Sequence, residues 1–114
     1  MTPVTRIPAE FGAIVVITTV PDENLAVKLS ESLLQQQIAA CVHILPAGQS
    51  HYRWKSKIET AVEFMLIIKT QTARYAELEA EITRLHPYEV PEILALPVVD
   101  GAHAYLKWIT DETT

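Results

Sequence analysis

The densest run of chemically capable side chains is His86-Pro87-Tyr88-Glu89-Val90-Pro91-Glu92, which places an imidazole, a phenol and two carboxylates on one short stretch. Its two prolines fix φ and remove backbone donors, so the backbone is stiff and cannot be helical throughout. Groups of these types can relay protons or contact a ligand or ion. The same residues can also do no more than end a helix, with His86 and Tyr88 stapling its terminus and Glu89 and Glu92 in water. What separates the two readings is a perturbed titration, not the mere presence of such groups.

A second candidate is Cys41-x-His43. On a strand, residues two apart share a face at about 7 Å, close enough for a thiol and an imidazole to share a soft ion such as Cu(I), Cu(II) or Zn. Two ligands do not complete a site, and His51, His86 and His103 could join only through tertiary or subunit contacts. The competing reading makes Cys41 a small core residue. Nucleophilic cysteine chemistry needs an activating, electropositive setting, whereas Cys41 lies between apolar neighbours. Tyr52, Trp54, Tyr105 and Trp108 read as core or interface packing rather than a cofactor box.

The elements that must position these groups follow from periodicity. Ala13 to Val20 is rich in β-branched residues without polar alternation, which predicts a strand buried on both faces. Pro21-Asp22-Glu23 has helix-start chemistry, and Leu25, Ala26, Leu29 and Leu33 line one face of a helix ending near Gln37. A second strand runs from Ala39 to Leu45. Pro46-Ala47-Gly48-Gln49 interrupts it as a bulge or edge excursion, and His51 to Trp54 resumes it. After a turn near Lys55-Ser56-Lys57, a third strand covers Ile58 to Thr70. Thr72 is placed to cap a second helix, whose stripe is Tyr75, Leu78, Ile82 and Leu85, with Glu77, Glu79, Glu81 and Arg84 in solvent. His86-Pro87 stops it. Ile93 to Val99 is the last strand, and Gly101 to Ile109 predicts a short terminal helix packing Tyr105, Trp108 and Ile109 inward. Residues 1–12, with Pro3 and Pro8, read as a flexible leader to a single domain over 13–114.

The order βαβ-βαβ predicts an α+β, ferredoxin-like split βαβ sandwich: an antiparallel sheet with two helices on one face. Two helices leave the other face open, although the first and third strands are apolar on both sides. Wet Ile, Val, Leu and Phe side chains forfeit roughly 25 cal/mol per Å² and invite aggregation. The open face is therefore expected to meet another copy of the chain, and the long hairpin is expected to reach a neighbour's sheet.

Composition sets the outer limits. The 114 residues suit one domain, and 49% apolar with 20% charged residues excludes a disordered chain. Nine basic against 14 acidic residues, a net charge of −5, argues against nucleic acid or an anionic membrane as partner. One cysteine forms no internal disulfide and fits a reducing cytoplasm. Three glycines, at 12, 48 and 101, leave no glycine-rich phosphate loop or dinucleotide fingerprint.

Several motifs then agree in order along nearly the whole chain. They are Thr19-x-Pro21-x-x-x-x-Ala26, Ala39-Ala40-Cys41-Val42, Tyr52-x-Trp54-x-x-Lys57-Ile58, Ile68-Lys69-Thr70, His86-Pro87-Tyr88-Glu89-x-Pro91-Glu92-Ile93 and Tyr105-Leu106-x-Trp108-Ile109. Together they resemble the CutA family of divalent-cation tolerance proteins. The resemblance implies a stable, PII-like homotrimer in the cytoplasm with a role in tolerance to divalent metals, copper above all. It implies no catalytic reaction and no organic cofactor. By the same resemblance Cys41 and His86 are the metal contacts, and Tyr52, Trp54, Lys57, Glu63, Lys69, Tyr88 and Glu92 line clefts between subunits. The alternative function is a PII-like signalling module that binds a small anionic ligand in those clefts through Lys57 or Lys69. Ser56 stands where the family usually has Gly, and Thr18 and Glu81 where some members carry further cysteines.

Overall fold

The structure, a computed structural model, describes residues 12–114; the leader expected over residues 1–12 lies outside them except for Gly12. Strand β1 spans Ala13–Val20 and is followed by helix α1 at Glu23–Gln35. Strands β2 (Cys41–Ile44), β3 (Gly48–Trp54) and β4 (Lys57–Gln71) come next, then α2 (Tyr75–Leu85), β5 (Ile93–Pro97) and α3 (His103–Glu112). The sheet order is β2-β4-β1-β5, with β3 paired separately to β4 and every pairing antiparallel. With β2 and β3, which both pair with β4, counted as one interrupted strand, this is the ferredoxin-like arrangement.

Local chemistry accounts for the boundaries. Asp22 caps α1, its carboxylate accepting the Leu25 N–H at 2.7 Å. Arg74 donates to the Gln36 carbonyl just past the other end of α1, whose last turn has no basic residue of its own. Thr72, expected to cap α2, instead opens a 3₁₀ turn over Thr72–Arg74 and donates its hydroxyl to the Gly12 carbonyl. The interruption at Pro46 separates two strands rather than bulging one, and both pair with the 15-residue β4. The two-residue turn holds both Lys55 (φ 48°) and Ser56 (φ 68°) in the left-handed backbone region, as a tight hairpin turn that matches the right-handed twist of its strands requires, although neither residue is Gly.

Strand register sorts the side chains by face. Ile14, Val16, Leu66 and Ile68 meet Leu29, Leu33, Leu78 and Ile82 in a core between the sheet and α1–α2, all nearly inaccessible to water. Helix α3 lies across one end of the opposite face: Ile109 is buried, and Gln71 donates to the Thr113 hydroxyl at 2.8 Å. Tyr105 and Trp108, expected to pack inward, are 41% and 40% exposed and stack on one another at 5.5 Å. The rest of that face is apolar and open. Val15, Ile17, Met65 and Ile67 are only partly covered, and Leu94 and Leu96 on β5 are exposed.

Glu81 does not stand on a solvated face either. Its side chain is only 10% exposed and accepts hydrogen bonds from Ser32 of α1, from Gln36 just past its end and from Arg84 one turn on. It ties the two helices together instead of standing in water, and these donors hold its carboxyl at about 2, well below 4.5, with Arg84 contributing most.

Candidate functional site

The stiff stretch after α2 and the β3–β4 hairpin enclose a cleft of about 730 Å³ on the sheet face away from α1 and α2. The register builds it from residues distant in sequence. In the hairpin, Tyr52 pairs with Glu59 and Trp54 with Lys57, so Ser50, Tyr52 and Trp54 project from the same face of the ribbon as Glu63. Gly48 stands directly opposite Glu63, and a β-carbon there would touch nothing. Pro87, Tyr88, Glu89 and Glu92 form the facing wall.

Glu63 is buried at 8% exposure and accepts the Tyr88 hydroxyl at 2.8 Å. Burial first, then the hydrogen bond to this carboxylate and its charge, push the Tyr88 phenol up to about 12, which keeps it a donor throughout the physiological range. Among the described residues no lysine or arginine forms an ion pair with Glu63, and none lines the cleft. Glu89 and Glu92 stand at its exposed edge. The site is thus acidic and aromatic.

His86 is the hinge post of the wall. Its Nε2 lies 2.7 Å from the Thr19 carbonyl, and its Nδ1 accepts the Tyr88 backbone N–H at 3.2 Å. A carbonyl can only accept and a backbone N–H can only donate, so the ring carries its proton on Nε2. The imidazole also packs against the Tyr88 ring at 4.7 Å, which fixes the phenol over Glu63.

Five of the seven expected cleft residues, Tyr52, Trp54, Glu63, Tyr88 and Glu92, are brought together here. Lys57 and Lys69 are not: each stands six residues from Glu63 along β4, about 20 Å by strand rise. Lys57 is at the hairpin tip. Lys69 lies under α3, where hydrogen bonding with Tyr105 raises it above its ordinary value against a smaller opposing effect of burial. The expected metal pair also separates within the chain. Cys41 is partnered with Lys69 in the sheet, whereas His86 is anchored to Thr19, about 13 Å further along the strands and about 10 Å across them. Both ring nitrogens of His86 are already engaged, so an ion could bind it only by breaking one of those bonds. Among the described residues no group of three or more His, Cys, Asp or Glu side chains is arranged to hold a metal. His43 is exposed on the Cys41 face of β2 and does not line the cleft.

Ser50 also lines the cleft, a residue the sequence reading does not single out. The signal lay in the turn: a two-residue loop at Lys55-Ser56 determines the whole hairpin register and hence the face Ser50 occupies.

Comparison with known proteins places this architecture. The family profile described as "CutA1 divalent ion tolerance protein" matches residues 14–112. The Divalent-cation tolerance protein CutA of Thermus thermophilus is 40% identical over 99 residues, covering 87% of this chain and 96% of that protein. Protein CutA, chloroplastic, of Arabidopsis thaliana is 40% identical over 101 residues, 89% of this chain but 56% of the plant protein. The crystal structure of CutA from Xylella fastidiosa superposes with a TM-score of 0.88 at 39% identity, covering 90% of this chain and 99% of that one. On the extent of the profile match and these identities, the chain belongs to the CutA1 divalent ion tolerance protein family.

Proposed function

We propose that this protein is a non-catalytic homotrimer that acts in the cytoplasm in tolerance to divalent cations, holding Cu(II) or another divalent ion weakly and transiently at its clefts. The reading includes no organic cofactor and no nucleic-acid or membrane partner. The observation that carries it is the charge of the cleft: Glu63, Glu89 and Glu92 contribute to its lining and, among the described residues, no lysine or arginine does. A cleft of one sign with low-dielectric walls concentrates counter-ions of the other. The donors are carboxylates and a phenol, with His51 at the rim, rather than the Cys41–His86 pair.

The described residues of one chain bring no three His, Cys, Asp or Glu side chains together for an ion, so the reading requires a second copy to complete the shell. The open sheet face with Leu94 (57% exposed) and Leu96 (44%) supports that assembly, as do Ile58 (75%) and Val62 (58%) on the hairpin. The acid lining counts against the signalling alternative, in which an anion would be held by Lys57 or Lys69.

Calorimetric titration with Cu(II) and Zn(II) tests the proposal on the unmodified protein and on Glu92→Gln, Cys41→Ala and His86→Ala. Expected is measurable binding that weakens at least threefold in Glu92→Gln and is unchanged in Cys41→Ala. Absence of binding below millimolar metal, or loss confined to Cys41→Ala, would overturn it. Light scattering at micromolar concentration should give about three times 12.8 kDa. A monodisperse monomer would remove the shared cleft from the argument.

A further inference from the structure

The cleft contains more than an ion needs. A divalent cation is small and strongly hydrated and is held by oxygen or nitrogen donors, yet this cavity of about 730 Å³ is bordered by the rings of Tyr52, Trp54 and Tyr88. Aromatic faces add little to a hydrated metal. They contribute most to a cation whose charge is spread over a weakly hydrated organic group, which the negative face of the ring attracts.

We propose that the cleft is a binding site for a small organic cation, an alkylammonium ion, with Glu63 as the counter-charge and Tyr52 and Tyr88 as the aromatic wall. This deepens the preceding proposal, since it rests on the same reading of the cleft as a cation site, and it names a ligand class that reading does not contain.

Three independent features meet there. Glu63 is more than nine-tenths buried, yet its one hydrogen-bond partner among the described residues is the neutral Tyr88 hydroxyl. A buried carboxylate without a cationic partner is costly, and a ligand carrying the opposite charge removes that cost. The facing wall is preorganised: the Pro87 and Pro91 backbone and the two hydrogen bonds of His86 hold Tyr88 in place before any ligand arrives. The rim already displays the contact in question, because the Lys55 ammonium lies 5.7 Å from the centroid of Trp54. Tyr52, 43% exposed, lines the cleft together with Tyr88. Glu92 and Glu89 at the edge attract a cation from solution.

The test uses the full chain in its native assembly and follows backbone amide shifts by NMR. The probe is tetramethylammonium chloride, with tert-butanol as the uncharged probe of similar shape, citrate as the anionic probe and sodium chloride as the ionic-strength control. Expected are saturable shifts confined to Tyr52, Glu63, Tyr88 and Glu92, with tert-butanol at least tenfold weaker. Glu63→Gln should weaken tetramethylammonium at least tenfold and Tyr52→Ala at least threefold; the exposed Tyr52→Ala variant keeps the test available should Glu63→Gln not fold. Unchanged affinity in the folded variants, equal binding of tert-butanol, or tighter binding of citrate at the same amides would overturn the proposal. Titration of the same samples with Zn(II) reads the divalent-ion proposal separately, so loss of one ligand class with retention of the other identifies which reading fails.

Discussion

Replacing Glu81 by Gln should destabilise the protein at neutral pH, and the loss should vanish in acid. Glu81 joins α2 to α1 through Ser32 and Gln36 and pairs with Arg84 at 2.8 Å. Its carboxyl lies at about 2 in the folded chain against 4.5 ordinarily, with the Arg84 hydrogen bond the largest cause and Ser32 the next. That difference corresponds by linkage to a ceiling of roughly 3 kcal/mol. Arg84 is 65% exposed and screened by water and salt, so a loss of about 1–2 kcal/mol is expected for Glu81→Gln at pH 7. Because the folded value is depressed, the contribution is complete above 4.5 and disappears as pH falls from there towards 2. Urea unfolding of both proteins at pH 7, 4.5, 3 and 2 measures this, at one protein concentration because assembly is linked to stability. Equal stability at pH 7 would refute the reasoning. So would a gap between the two proteins that is the same at pH 2 as at pH 7, since the effect would then not come from the carboxylate.

Three further outcomes follow from single residues. The Thr18 hydroxyl is fully buried and has no hydrogen-bond partner among the described residues, so Thr18→Val should raise stability by about 1–2 kcal/mol, read as a higher urea midpoint; a lower midpoint would show that the hydroxyl is satisfied. Ser56 holds φ at 68°, which Gly adopts without strain, so Ser56→Gly should add about 1 kcal/mol in the same assay, with no gain counting against strain at the turn. Tyr88→Phe leaves the buried Glu63 without its donor and should cost about 1–3 kcal/mol at pH 7. In the unmodified protein the phenol is raised to about 12 from 10, so its contribution is present below pH 10 and is lost as pH rises towards 12. Phenolate absorbance near 295 nm should lose its ionisation at about 12 in Tyr88→Phe, whereas Tyr75, which burial and then the hydrogen bond to Glu79 also raise, contributes equally to both proteins.

The line between what was legible in sequence and what was not runs through particular residues. The Tyr75, Leu78, Ile82, Leu85 stripe and the Asp22 cap are local signals, and α2 and α1 formed where they pointed. The expected cap at Thr72 gave way because Gly12, sixty residues earlier, offers its hydroxyl an acceptor. Glu81 lies off the apolar stripe and reads as solvated until the neighbouring helix brings Ser32 and Gln36 to it. Tyr105 and Trp108 fall on an apolar face, yet the sheet under α3 buries Ile109 and leaves both rings half exposed.

Periodicity and end signals in the sequence alone determined the order of strands and helices, the stiff His86–Glu92 stretch, the open apolar face and, through its ordered motifs, the family. These depend on interactions within a few residues, where side-chain spacing dictates backbone geometry. Only the tertiary structure decided the chemistry of the site. Register set Gly48 opposite Glu63, brought Tyr88 to that carboxylate from 25 residues away, engaged both nitrogens of His86, and carried Lys57 and Lys69 to opposite ends of β4. Motif resemblance indicates which residue types recur around a cleft. The charge of this cleft in one chain depends on which of those residues the strand register brings within hydrogen-bonding distance, and no local spacing encodes that.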